Sequence, residues 1–386
     1  MKLFRSLSTT RLVVLIALFA VVVGGSAAIA IAASRSTGPT PPAKPLASAI
    51  HDALAGPKPD GITADITFTN KLFPSGALTG ATGSALLSGA TGRLWATNDG
   101  RGRLELQSDA GDLQIVWSAD KLTAYDATSN TVYVFTLPKK ASNTADAGGP
   151  PTLAAITAFL THLAGDANVS SAQPDNVGNQ PAYTVTVSPK HDGGLLGSAE
   201  LAFDAMRGVP LKLAIYAQGS STPALALEAT NISYGAVAAS AVDISPPAGA
   251  KVVDLSSLGS SAATGSHTSD VTGLAAVQSA VDFPVVAPDT LVGLPRQLVR
   301  LAGKDAALVV YGQGLGAIVV VERKADSSKA TGMIAGLPSI SLDGVTAHEL
   351  ATQLGTVLEW QEGGRSVVLA GSLPPAAAES AARALK

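Results

Sequence analysis

The chain contains no cysteine. That excludes structural disulfides, thiolate nucleophiles, thiolate metal sites and a lipid-modified N-terminal cysteine, so the fold must rest on its own hydrophobic core. Aromatic residues make up only 4% of the sequence against 46% hydrophobic residues in all, which leaves a core built from Ala, Val and Leu. Charge is scarce and balanced, at 14% charged residues and a formal net charge of −3. There is no basic stripe of the kind that binds nucleic acid, and no acidic or basic block that would make an electrostatic tail.

Catalytic signatures are missing too. His51 and His191 sit beside Asp52 and Asp192 in loops, His162 lies on the polar edge of a helical stretch, and His267 falls in a Gly/Ser-rich segment. His348-Glu349 lacks the second histidine of a zinc-binding helix motif. No Gly-x-Ser-x-Gly elbow and no Gly-x-x-x-x-Gly-Lys-Ser/Thr loop occurs. The run Gly312-Gln-Gly-Leu-Gly316 precedes a strand pattern, so it reads as a hairpin turn and not as a phosphate loop, which needs a following helix N-terminus. Asp109 and Asp112 stand in a turn, where Asp is expected for backbone reasons. The expectation is a chain without catalysis, metal or cofactor.

What is present begins at the N-terminus. Lys2, Arg5 and Arg11 precede an uncharged apolar stretch over residues 12–34. About 20 residues suffice to cross a hydrocarbon core of ~30 Å, which favours an uncleaved anchor. The small residues from Ala28 to Ala33 also offer a signal-peptidase site near Ala30 to Ala33, so cleavage stays open. The positive flank is expected to remain cytoplasmic, placing everything after about residue 34 outside. A Pro-rich stretch over 35–48 then reads as an extended spacer.

Beyond it the pattern is period two. Ile62, Ala64, Ile66 and Phe68 alternate with polar neighbours, and the same alternation returns over residues 103–107, 113–117 and 131–137. Turns at 98–100, 109–112 and 126–130 separate these runs into an antiparallel meander. Leu153, Ile156, Leu160 and Leu163 fall at helical spacing between Pro150-Pro151 and Gly165. Strands resume over 183–187, 199–203, 211–216 and 225–234. A Ser/Gly-rich linker over 256–270 divides a β-rich unit at 49–255 from a smaller α+β unit at 271–386. In the latter, helices are expected near 274–279 and 375–385, and strands near 307–311, 317–321, 357–360 and 366–369. The fold class is α+β.

Particular residues carry a family resemblance. Gly92-Arg-Leu-Trp-Ala96, Arg103-Leu-Glu-Leu106, residues 117–126 and Asn130-Thr-Val-Tyr133, with Tyr183-Thr-Val, Phe203-Asp204, Gly208-Val-Pro-Leu211 and Ile244-Ser-Pro-Pro-Ala-Gly249, resemble the LolA-like superfamily over roughly residues 60–255. That family comprises curved half-barrels and includes lipoprotein carriers and the RseB- and MucB-like envelope regulators. Leu358-Glu-Trp360, Glu362-Gly363, Val368-Leu-Ala-Gly371 and Leu373 resemble a small C-terminal domain of Gram-positive envelope regulators. The resemblance implies a curved antiparallel half-barrel with a covering helix. It also implies one of two partners: lipid or lipoprotein acyl chains held in a cavity, or an anti-sigma factor or other membrane-bound regulator. An anchor departs from the freely shuttling carriers.

The candidate lining set is Ile66, Phe68, Leu104, Leu106, Ile115, Trp117 and Phe135 on one sheet face, with Leu153, Ile156 and Leu160 of the helix closing over it. Read from the residues alone this is ordinary core, and the resemblance implies an apolar cavity; lining and packing both stand. Trp95 and Trp117 each carry an indole N–H that wants a partner, which suits a cavity rim. The family's cavity arginine corresponds to Arg101 or Arg103.

Overall fold

The computed structural model describes residues 38–72, 85–136, 151–190, 194–254, 271–303, 305–313, 316–325 and 337–385. The apolar run at 12–34, the linker at 256–270, His191 and His267 lie outside them. Among the described residues no helix is long and apolar enough to cross a membrane.

The chain is mixed α+β, mostly strands. Residues 38–45 run extended into helix α1 (Leu46–Ala55), whose Ala49 and Ala53 are buried. Of the Pro-rich stretch expected over 35–48 as an extended spacer, residues 38–45 do run extended but are docked on the body, and 46–48 already belong to α1. Asn176 Nδ2 donates to the Pro39 carbonyl at 2.9 Å and Tyr183 Oη donates to the Pro42 carbonyl at 2.6 Å. Proline leaves those carbonyls free to accept while fixing the extended backbone that presents them. Ala49 and Ala53 then pack with Tyr183, Val185 and Phe203 in a small core of their own.

Next come β1 (Gly61–Asn70), a short helix α2 (Ala85–Ser88), and the meander β2 (Ala90–Thr97), β3 (Gly102–Ser108), β4 (Gly111–Trp117), β5 (Lys121–Asp126) and β6 (Thr131–Thr136). Helix α3 (Leu153–Asp166) leads straight into β7 (Ala167–Val169). It is followed by β8 (Gln173–Val177), β9 (Gln180–Pro189), β10 (Leu196–Asp204), β11 (Pro210–Ala217), β12 (Pro223–Tyr234), a short α4 (Ala239–Val242) and β13 (Lys251–Asp254). These form one curled 13-stranded half-barrel sheet in the order β13-β6-β5-β4-β3-β2-β1-β12-β11-β10-β9-β7, with β8 also paired to β9. All pairs are antiparallel except β13 with β6.

A second group holds α5 (Leu274–Ala280), β14 (Thr290–Leu291), β15 (Leu294–Ala302), β16 (Ala306–Tyr311), β17 (Ile318–Lys324), β18 (Ser339–Leu342), β19 (Val345–Ala351), β20 (Thr356–Glu362), β21 (Arg365–Gly371) and α6 (Pro375–Arg383). Its eight strands follow the order β14-β15-β16-β17-β21-β20-β19-β18. Residue 312, at φ 73°, opens the turn that returns Tyr311 to pair with Ile318. β16 and β17 are thus paired as a hairpin, as the sequence context of the glycine run implies. The core below this sheet joins Val309, Ile318, Val320, Leu358, Trp360 and Leu369 to Ala378 and Ala382 of α6.

One expectation needs correcting. α3 does not cover the face of β1 to β6; it packs against α1 and β7. The connectivity explains this, because α3 runs without a break into β7, and β7 forms one edge of the sheet while β6 lies next to the other. The helix also continues one residue past Gly165, its C-terminal carbonyls at Ala164 and Gly165 taking hydrogen bonds from the Lys190 ammonium.

Candidate functional site

Strand register brings the expected lining residues together. One cross-strand row reads Ala64, Leu94, Leu104, Ile115, Ala124 and Tyr133, and the next reads Ile62, Ala96, Gly102, Trp117, Leu122 and Phe135. Because side chains alternate along a strand, Ile66, Phe68, Leu104, Leu106, Ile115, Trp117 and Phe135 share one face. Leu113 and Leu94 belong to the same set and were readable by the same parity. Gly102 makes room for Trp117: a Cβ there would stand 2.0 Å from the indole.

This face is filled. Ile66, Phe68, Leu104, Leu106 and Ile115 are at most 5% exposed. Leu72 and Ala85 join it on one side, and Leu350 of β19 and Leu354 of the following turn pack against the same cluster, while Trp117 and Phe135 stay partly exposed. The Gln353 backbone N–H donates to the Leu72 carbonyl at 3.2 Å, and Asn70, buried at the end of β1, uses its Nδ2 to hold the Leu86 carbonyl at 2.9 Å. A second junction lies at Ser372, whose carbonyl and Oγ accept from the Leu195 and Leu196 backbone N–H groups at 2.9 and 2.8 Å. The second sheet thus supplies the lid that α3 was expected to be.

Trp95, Arg101 and Arg103 do not line this face. Trp95 pairs with Arg103, while its neighbour Leu94 pairs with Leu104. Odd-numbered positions here therefore point to the outer face, one residue out of phase with the apolar set. The Arg103 guanidinium lies 4.9 Å and that of Arg93 5.8 Å from the Trp95 ring centroid, a stacked cation–π arrangement. Arg103 also bonds to Glu105 and donates to the Ala241 carbonyl at 3.3 Å. Arg101 bridges Asp99 at 2.9 Å and Asp243 at 2.6 Å. Those two carboxylates hold its guanidinium charged, and they tie α4 onto β2 and β3, so both arginines are engaged in a salt-bridged outer patch.

Of the helix residues, Ile156 is buried, Leu160 is half-buried and Leu153 is exposed. Leu153, Ala154, Thr157, Ala158 and Thr161 border a shallow surface depression along α3 instead of an enclosed cavity.

Asp204, Lys212 and Glu322 are bound to structural partners, whereas the buried Tyr311 hydroxyl has no hydrogen-bond partner among the described residues. Asp204, 1% exposed, accepts from the Tyr234 hydroxyl at 2.7 Å and from the Met206 and Arg207 backbone N–H groups, closing the β10–β11 turn. Burial first, and then this bond, pushes the Tyr234 hydroxyl above its ordinary pKa. Burial alone would lower Lys212, but its bond to Glu200 and the charges of Glu228 and Glu200 outweigh that and hold it protonated. In the second core Arg365 Nη1 donates to Glu322 Oε2 at 2.8 Å, and Arg365 Nη2 to the Leu385 carbonyl at 2.9 Å. Burial pushes the Glu322 carboxyl up despite that partner. His51 contacts Asp52 at 3.3 Å and His348 Nδ1 lies 3.2 Å from the Leu337 carbonyl. Among the described residues no three metal-binding side chains converge.

No protein-family model matches the sequence, and no characterised protein matches it at the sequence level. Solved structures similar in outline include the Pseudomonas aeruginosa MucA/MucB complex, at 18% identity and a TM-score of 0.41 over 87% of this chain and 94% of that one. MucB in complex with MucA(peri) gives 17% identity and a TM-score of 0.39 over the same shares. A LolA superfamily protein of Nitrosomonas europaea gives 7% identity and a TM-score of 0.17 over 85% and 91%. Likeness of this size transfers neither ligand nor partner.

Proposed function

We propose that this chain is a non-catalytic binding protein of the cell envelope, tethered outside the cytoplasmic membrane, that recognises a membrane-linked protein. The filled inner face carries this reading. With Ile66, Phe68, Leu104, Leu106 and Ile115 buried in one cluster against which Leu350 and Leu354 pack, an acyl chain would have to displace these side chains to reach the face. Recognition then falls to the exterior, including the Trp95 patch on β2 and β3. The resemblance read in the sequence supplies the partner class, an anti-sigma factor or another membrane-bound regulator, and a tether raises the local concentration of both. The test is photo-crosslinking in cells from positions on the outer face, such as Arg93. Recovery of a membrane protein is expected; no recovered partner, together with unchanged stress-gene expression on deletion, overturns the reading.

A second reading keeps the acyl ligand, because the lid comes from the second sheet and not from the sheet it covers. Among the described residues the Gln353 to Leu72 bond joins the turn after β19 to the rim of the face, and Ser372, which donates to the Leu354 carbonyl, ties it to Leu195 and Leu196. Its withdrawal would bare a broad apolar surface on which each buried CH₂ of a ligand contributes about 0.8 kcal/mol. Native mass spectrometry of the purified chain decides this, since reproducibly empty protein in the presence of envelope lipid rules the acyl ligand out.

A further inference from the structure

The geometry points to α3 as a membrane-contacting helix that lies on the outer leaflet next to the tether. This goes beyond the function proposed above and rests on the reading of residues 12–34 as a membrane segment.

Three observations converge. The first concerns reach. The apolar run ends at Ser34, and Gly38 is already packed on Asn176, with Pro39 hydrogen-bonded to it. Four residue steps span at most about 14 Å even when fully extended. The docked leg continues past Tyr183 into α1, and α1 packs against α3. The body is thus held at the bilayer by the edge of the sheet that carries β7, β8, α1 and α3.

The second is composition. Residues 153–165 of α3 contain no Asp, Glu, Lys or Arg, although Leu153 is 44% and Phe159 42% exposed. Water-facing helix surfaces are normally polar and charged. Among the described residues the stripe of Ile156, Leu160 and Leu163 turns towards the protein, which leaves an outer face of Ala, Thr, Leu and Phe with His162 as its one ionisable residue.

The third is hydrogen bonding. Thr157 Oγ1 donates back to the Leu153 carbonyl at 2.8 Å, and Thr161 Oγ1 to the Thr157 carbonyl at 2.9 Å. The Thr152 hydroxyl caps the N-terminus by accepting from the Ala155 N–H, and Lys190 caps the C-terminal carbonyls. The threonine hydroxyls of the outward face are satisfied within the protein, which favours resting in a lipid interface where water is scarce.

The absence of cysteine makes the test direct. Single substitutions Leu153→Cys, Phe159→Cys and, as a control on the opposite sheet edge, Val252→Cys (66% exposed) would carry an environment-sensitive fluorophore. The full chain is reconstituted into vesicles of phosphatidylglycerol and phosphatidylethanolamine, with no other protein present. Labels at 153 and 159 should shift to the blue and be quenched by acyl-borne nitroxide at least about threefold more than the label at 252, because the apolar face enters the headgroup–acyl boundary. Equal quenching of all three labels by aqueous iodide overturns the proposal. So does shielding seen only when several copies share a vesicle, which would assign the face to a second copy. A full chain that fails to float with the vesicles overturns it through the tether. None of these outcomes involves a protein partner, so the function proposed above stands or falls separately by crosslinking.

Discussion

Removing the two leucines of the lid should open the inner face without unfolding either sheet. A fully buried Leu→Ala change in a core costs about 2–5 kcal/mol. Leu350 and Leu354 are half-buried, so each change is expected to cost about 1–2 kcal/mol, and the pair about 2–4 kcal/mol if the neighbours couple weakly. That cost falls on the junction, since Leu350 at the end of β19 and Leu354 in the turn after it belong to the second sheet yet pack on the first sheet's core. At 1.4 kcal/mol per tenfold, the open fraction should rise by about 30- to 1000-fold. A cysteine placed at Ala64 or Ala124, at 2% and 4% exposure on the covered face, reports opening as a rate of thiol labelling. The Leu350→Ala/Leu354→Ala variant should label faster by that factor, while its denaturant midpoint, followed by far-UV circular dichroism, changes little. Labelling within about threefold of the parent, or a midpoint that drops in step with the labelling, would show that the leucines are ordinary core and that the face has no lid.

Three further perturbations read other parts of the structure. Arg365→Met leaves Glu322 buried without its cation and should destabilise the second sheet by about 3–5 kcal/mol near neutral pH, measured by Trp360 fluorescence after Trp95 and Trp117 are replaced by Phe. Because burial already raises the folded-state pKa of Glu322 above its unfolded value, the folded form holds its proton more tightly. Its contribution is therefore most favourable below the unfolded pKa and declines as pH rises through the folded pKa, so the variant's deficit should shrink towards pH 4–5; a pH-independent deficit would contradict this. Gly102→Ala, whose new Cβ meets the Trp117 ring, should cost about 1–3 kcal/mol and alter the Trp117 near-ultraviolet signal. Tyr183→Phe removes the hydroxyl that holds the Pro42 carbonyl; it should cost about 1 kcal/mol and make residues 38–45 more sensitive to protease.

Alternation located β1, β3, β4 and β6, and in the first three the burial follows one inward and one outward face; strands were also expected where β9, β10, β11 and β12 stand, whereas β2, β5, β7, β8 and β13 were not marked by period two. Parity was legible too, and it separates Trp95 from Leu94; grouping Trp95 with Leu104 ignored a one-residue phase that register does not forgive. The helix at 153–166 was legible as a helix but not as a lid. Helical spacing says which side chains share a stripe, whereas the sheet that the stripe meets depends on the connection to β7. α1 was hidden because its ten residues are dominated by small apolar side chains behind a Pro-rich leader. In the second group, β15 and β19 mix charged and apolar positions too irregularly to announce strands. No local pattern marks Leu350 and Leu354, whose partners lie more than two hundred residues away along the chain.

The position of β1 sets an order of events during synthesis. It is the first strand made, yet it sits between β2, which follows it closely, and β12, whose Tyr234 pairs with Ile62. At about 5–20 residues per second, roughly ten to thirty seconds separate the emergence of β1 from that of β12. Throughout that interval the meander from β1 to β6 can assemble with one long edge of unpaired N–H and C=O groups at β1, bearing Ile66 and Phe68 on its apolar side. Such an edge is a template for any other strand. A nascent chain caught at this stage is the species most prone to pair with a copy of itself, and whatever escorts this protein must guard β1 until β12 arrives.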